Sequence, residues 1–228
     1  MSQRSGKVDS QQVPRSRPSF ASENAASAVR LAGDEKAFVA GLQSRESESI
    51  AKGLASLTFL GSQGRTLKKG SQKKFLDFTW EVLVPMLPTI KTRSEFDERH
   101  RAWVEALRRK LVTQKGQGAS YGQGQKSLNV FLKFYVDWAS RPDTDTSSRL
   151  RPWLHCPLDK VVMKGLSETF PEVYRSRLRP LHEGSPQQRF SLSQMSEDAY
   201  LAWQDWIRKL SPLKPVLVDV SWALERAM

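Results

Sequence analysis

The stretch KSLNVFLKFYVDWA, residues 126–139, carries Leu128, Val130, Phe131, Leu132, Phe134, Tyr135, Val136 and Trp138 and is apolar almost all the way round. A helix without a polar face has protein on every side, so this segment reads as the central helix of the fold. The segments around it repeat their apolar residues at helical spacing. On the N-terminal side, Phe96, His100, Trp103, Leu107 and Leu111 form one stripe over Ser94 to Val112, with Ser94 as N-cap and Asp97 and Glu98 in the first turn. His100 on that stripe reads as a packed core residue.

Before it, Phe75, Phe78 and Val82, widened by Leu76, Leu83 and Leu87, mark a helix over Ser71 to Leu87 that Pro85 and Pro88 end or kink. Earlier still, Val29, Leu31, Phe38, Val39 and Leu42 begin a helical pattern at Ala25, a weaker one runs from Ser49 to Leu60, and Gly61 to Gly70 is a connector. On the C-terminal side, Arg141 to Arg149 reads as a polar loop and Asp159 to Leu166 as a short helix. Two further helices follow, Ser196 to Leu210 (Tyr200, Trp203, Trp206, Ile207) and Pro215 to Met228 (Leu217, Val220, Leu224). Strand signals are sparse and no internal repeat is visible, so the fold class is all-α.

Residues 1–24 are rich in Ser, Gln, Arg and Pro with little to bury, and are expected to be a disordered basic tail; residues 25–228 are expected to form one helical domain. Across 228 residues, 36 Lys and Arg against 24 Asp and Glu give a formal charge of +12, a field that attracts polyanions. No apolar run approaches the roughly 18 residues of a membrane span, and the N-terminal stretch lacks the apolar h-region of a secretory signal. A cytoplasmic protein, nucleoid-associated if bacterial, is therefore expected, without membrane contact. Cys156 stands alone and the histidines are His100, His155 and His182, so no disulfide, metal or metal cluster is expected, and no cofactor.

The connection into the central helix is QKGQGASYGQGQK, residues 114–126, with glycines at 116, 118, 122 and 124. Helix, Gly-rich hairpin and helix make a phosphate-binding device, because glycines let the backbone approach phosphates and the free N–H groups of the second helix favour an anion. An ordinary flexible loop has the same composition.

The hairpin at 113–126 closes as Gly122-Gln-Gly124-Gln-Lys126, and the loop ahead of the short helix reads His155-Cys-Pro157-Leu-Asp159. In these motifs the chain resembles the helix-hairpin-helix DNA glycosylases of the 8-oxoguanine type, over about Phe96 to Leu166. The resemblance implies that Lys126 is a nucleophilic lysine at the mouth of a base pocket and that Asp159 is the essential aspartate of a P-x-D element. Tyr121 replaces the proline that usually opens the hairpin. The 33-residue separation of Lys126 and Asp159 is similar to that of the archaeal 8-oxoguanine branch.

By implication of the same resemblance, the activity is that of a DNA glycosylase with lyase activity. A carboxylate at Asp159 stabilises positive charge developing on the sugar, and the Lys126 amine, its pKa lowered, attacks C1′ to form an imine that permits β-elimination. The plain alternatives are a solvated Lys126 on a phosphate and Asp159 as a helix N-cap. Double-stranded DNA is the expected partner, bound by a monomer. Gly122, Gly124, Gln125, Lys68, Lys69, Lys73, Lys74, Arg108, Arg109 and Lys115 are its expected contacts, with Lys110 beside them and Arg175, Arg177 and Arg179 as a second basic cluster. His155, Cys156 and Trp153 are pocket candidates. Trp103, Trp138, Trp203 and Trp206 are further aromatic material for holding a flipped base. An oxidised purine is the first substrate expected; a hypermodified base of phage DNA, with a role in antiviral defence beside DNA repair, is the second. A non-catalytic DNA-binding module and an RNA-binding protein are the rival classes.

Overall fold

The computed structural model describes residues 35–182 and 190–220, with side chains from Ser44 onward. The chain divides into units 1–46 and 47–228, and every residue of the candidate site belongs to the second. The expected tail, the helical signal around Val29 and Leu31, the side chains of Phe38, Val39 and Leu42, and Leu224 lie outside the described residues.

The described residues are mostly helical: α1 (Glu35–Gln63), α2 (Lys69–Phe78), α3 (Arg93–Lys110), α4 (Tyr121–Leu132), α5 (Thr144–Leu150), α6 (Lys160–Thr169) and α7 (Glu197–Leu210), joined by short 3₁₀ and π segments. Extended pairing among them is confined to the isolated bridges Leu67 with Thr113 and Val112 with Gly118. No helix among them is long and apolar enough to cross a membrane.

Helix ends follow side-chain chemistry. Thr92, not Ser94, caps α3: its hydroxyl accepts from the Glu95 N–H while the Glu95 carboxylate accepts from the Thr92 N–H. After α2 the chain continues helically through a π segment, Thr79–Leu83, in which the Val84 N–H reaches back to Thr79. The wider register sits just ahead of Pro85, whose ring crowds the preceding α-turn and which has no N–H to donate. Arg141 to Arg149, expected as a loop, holds all but the last residue of α5, because the Asp143 carboxylate accepts the Thr146 N–H at 2.7 Å and starts a helix. The segment expected as a helix from Pro215 begins as a 3₁₀ turn, Pro215–Leu217.

The central helix starts five residues earlier than its apolar run. Ser120 and Gln123 form a second capping box, so α4 begins at Tyr121 and takes in Gly122, Gly124 and Lys126. The true hairpin is the preceding turn. There Thr113 N–H bonds Gln117 O, Ala119 N–H bonds Leu111 O, and Gly116 has φ +84°, a left-handed position that favours glycine. Phe75, Phe96, Leu107, Phe131, Tyr135, Tyr200 and Trp203, all fully buried, form the core around α4. The expectation of burial on every side fails on one face: Val130 and Phe134 are half-buried and Trp138 is 56% exposed. Positions 130, 134 and 138 form one stripe at helical spacing, and no described helix covers its outer end.

Candidate active site

Lys126 and Asp159, 33 residues apart in sequence, meet: the Lys126 ammonium donates to Asp159 Oδ2 at 2.5 Å. Lys126 sits in the second turn of α4, with its side chain mostly withdrawn from solvent. Asp159 is the N-cap of α6, where its other oxygen, Oδ1, accepts from the Val161 and Val162 N–H groups at 2.9 Å each. The cap and the pairing are therefore compatible, since each uses a different oxygen. Burial opposes ionisation of Asp159, but the Lys126 charge and the bonds from Lys126, Val162 and Val161 outweigh it and hold the carboxyl below its ordinary range.

The pair lies at the wall of a cleft of about 1020 Å³. Besides Lys126, the cleft is lined by the cations Lys160, Lys164, Arg175 and Arg179, against the acids Asp159 and Glu168. Its rim is thus basic, and α6 presents Lys160 and Lys164 one turn apart. Tyr174, whose hydroxyl is buried without a hydrogen-bond partner among the described residues, Phe190 and Leu192 supply a less polar wall. Tyr174 and Phe190 are in ring contact at 5.6 Å.

A second ion pair stands just past the end of α4, at the start of the π segment Lys133–Trp138 that continues it. Lys133 donates to Asp219 Oδ1 at 2.6 Å, and Lys133 also lies 5.3 Å from the centre of the Trp138 ring. Burial pushes the Asp219 carboxyl up, against the pull of Lys133 and Lys126.

Several residues expected at a DNA surface are not on one. Gly122, Gly124 and Gln125 are buried. A Cβ on Gly122 would stand 2.3 Å from Leu192 O, and one on Gly124 would stand 3.3 Å from Val104 O, so these glycines allow α4 to pack closely against its neighbours. Gln125 is fully buried and bonds Gly122 O and Leu158 O. Their withdrawal from solvent removes them from the expected phosphate contacts. Arg108 pairs with Glu105 at 2.6 Å and lies 5.9 Å from the Tyr121 ring centre. Lys68, Lys69, Lys73, Lys74, Arg109 and Lys115 are exposed around the start of α2 and the 112–118 turn, with Lys73 paired to Asp77. None of them lines the cleft. Of the second basic cluster, Arg175 and Arg179 do.

The pocket candidates His155, Cys156 and Trp153 also lie outside the cleft lining. His155 belongs to a buried polar network. Its Nδ1 is 2.5 Å from the Tyr200 hydroxyl, and its Nε2 is 2.9 Å from Asp97 and 2.6 Å from Arg208. Asn129 ties the network to α4 by donating to Tyr200 and Gln125, while its oxygen faces His100 Nε2 at 2.7 Å. Burial pulls the His155 ring down to about 4, against the attraction of Asp97, and drives the Cys156 thiol well up. His100 is a fully buried core residue, as its place on the α3 stripe indicates. Trp103, Trp203 and Trp206 are buried as well. Among the described residues no group of three His, Cys, Asp or Glu is placed to hold a metal ion.

Sequence reasoning missed Lys160, Lys164, Tyr174 and Phe190 as cleft residues and Lys133 with Asp219 as a second pair. Lys160 and Lys164 follow the Asp159 cap at helical spacing, a signal that was available; nothing local in the sequence joins Lys133 to a residue 86 positions away. Compared with models of protein families, with characterised proteins and with solved structures, the chain matches none.

Proposed function

We propose that this protein is a DNA glycosylase with lyase activity, of the helix-hairpin-helix kind, acting on a modified base in double-stranded DNA through Lys126 and Asp159. The observation that carries the proposal is their direct pairing at the wall of a basic cleft. A lysine and a carboxylate brought together from remote positions, one against the other and facing a cation-lined cleft, suit chemistry on a phosphate-bearing substrate.

In the resting site Lys126 is an ammonium held by Asp159. When a nucleotide enters, its phosphates are held by Lys160, Lys164, Arg175 and Arg179. As the bond from C1′ to the base breaks, positive charge develops on the sugar and the Asp159 carboxylate stabilises it. The Lys126 proton passes to the departing base, and the freed amine forms the new bond to C1′. A proton moves from the new C1′–N centre to O4′ as the sugar ring opens to the imine; water then takes the C2′ proton as the 3′ phosphate leaves with its strand, and a second water adds to C1′ and releases the amine.

The test is incision of a duplex containing an abasic site and of duplexes containing modified bases. Wild-type protein cuts, Lys126→Gln binds without cutting, and Asp159→Asn loses base release. Wild-type protein that binds the duplexes and leaves all of them intact overturns the proposal. A second reading, a DNA-binding module without catalysis, draws on the fact that Lys126 and Asp159 already satisfy each other; it expects both substitutions to alter affinity alone.

A further inference from the structure

An apolar groove of about 380 Å³ adjoins the basic cleft and shares two lining residues with it, Lys126 and Ser62. Leu54, Leu57, Thr58 and Gly61 of α1 form one wall, and Val130 of α4 with Phe134 of the π segment that continues it form the other. This is the uncovered face of the central helix, and Leu57, 70% exposed, stands at its rim. The volume falls in the roughly 300–1,000 Å³ range of small-molecule sites. The lining is short of hydrogen-bond donors. The Thr58 hydroxyl donates to Leu54 O at 2.8 Å, the Ser62 hydroxyl donates to Thr58 O at 2.6 Å, and the Lys126 ammonium is engaged by Asp159.

From this arrangement we infer that the groove receives the base of the substrate nucleotide while its sugar and phosphates lie in the basic cleft, and that it selects a bulky, donor-poor base over an oxidised purine. The inference rests on the proposed glycosylase reading and adds the substrate class. Lys126 at the junction of an apolar and a cationic compartment matches a nucleotide, which is apolar on the faces of its base and anionic at its phosphates. C1′ is the atom between those halves. An 8-oxoguanine base brings N–H donors and carbonyl acceptors on several edges, and the groove walls leave most of them unpartnered, which disfavours its burial. A base with an added hydrocarbon ring, such as 1,N6-ethenoadenine, has lost its exocyclic donor and gains apolar contact with Leu54, Leu57, Val130 and Phe134.

Two substitutions in the full chain test this. A Cβ at Gly61, which lines the groove, meets nothing within 4 Å, so the side chain of Gly61→Leu starts in open space and narrows the groove. Leu57→Arg alters the rim and adds a positive charge, so any loss it causes is not a loss of attraction for phosphate. Base release is measured from duplexes carrying ethenoadenine or 8-oxoguanine, and borohydride trapping is measured on a duplex with a preformed abasic site. Wild-type protein is expected to release ethenoadenine at least tenfold faster than 8-oxoguanine. Both variants are expected to lose at least tenfold in that release while trapping on the abasic site as wild type does. Release of 8-oxoguanine as fast as ethenoadenine, or wild-type release by both variants, overturns the inference and leaves the glycosylase proposal standing. Absence of trapping by wild-type protein on the abasic duplex overturns both.

Discussion

Replacing Gly122 with alanine tests the packing of the central helix and, with it, the reassignment of this glycine from phosphate contact to close approach. A Cβ there would lie 2.3 Å from Leu192 O and 2.9 Å from both Leu192 Cα and Met195 Cβ. These atoms belong to backbone and a buried side chain, so the turn Leu192–Gln194 must move away. Such overpacking costs about 1–3 kcal/mol. The movement also stretches the bond from the Ser120 hydroxyl to Leu192 O, 2.7 Å long, at a cost of about 0.5–1.5 kcal/mol. Alanine returns up to about 1 kcal/mol of helix propensity. The net loss is about 0.5–3.5 kcal/mol, which lowers Tm by roughly 1–14 °C for a chain of this size. Gly61→Ala is the control: its Cβ meets open space, so the same exchange is neutral or stabilising by up to about 1 kcal/mol. Thermal unfolding followed by far-ultraviolet circular dichroism gives both values. An unchanged or raised Tm for Gly122→Ala would refute the close approach of the Leu192 turn to α4.

Three further predictions concern charges. His155 is neutral in the fold, with its ring pulled down to about 4 from an ordinary 6.5, so the unfolded chain takes up its proton first as pH falls. Stability is therefore lost between pH 6.5 and 4, by about 3 kcal/mol for this group, and His155→Gln flattens that limb of the urea-midpoint profile. Asp159 is shifted the other way: its folded carboxyl is held below the ordinary range, so its contribution is present above the unfolded value near 4 and is lost as pH falls through the folded one. Asp159→Asn keeps the helix cap and removes that acid limb, whereas Asp159→Ala also loses about 0.5–2 kcal/mol of capping, measurable by urea denaturation at pH 7. Lys133→Met strands the largely buried Asp219 carboxylate and destabilises by up to about 3–5 kcal/mol; the double variant with Asp219→Leu recovers most of it, as a double-mutant cycle would show.

The helical class and the burial of one side of the central helix were legible in the sequence because Phe131, Leu132, Tyr135 and Val136 leave little polar surface there, whereas the exposure of Trp138 on the other side was not. The α6 start was legible too, since Asp159 follows a proline loop at the edge of an apolar pattern. The start of α4 was not, because Gly122 and Gly124 look like turn residues by composition. Only the packing partners of α4, Val104 O and Leu192 O, reveal that absent Cβ atoms there serve a helix interior. Asp143 starts α5 by a bond spanning three residues, so that helix was within reach of a local reading. The pairing of Lys126 with Asp159 agrees with the motif order, yet the cations that share their cleft come from residues 160–179, and the exposed lysines near α2 lie outside it. Which basic residues share a surface depends on long-range packing, and charge patterning along the chain does not encode it. The same holds for the His155 network, where Asp97, Tyr200 and Arg208 converge from α3 and α7.

The most direct test of the Lys126 assignment is borohydride trapping of the full-length protein on a labelled duplex with one abasic site, followed by peptide mapping of the adduct. The account predicts a covalent band from wild-type protein, the sugar remnant on Lys126, and no band from Lys126→Gln despite retained duplex binding. A band of equal strength from Lys126→Gln, or no band from wild-type protein bound to the duplex, would contradict it.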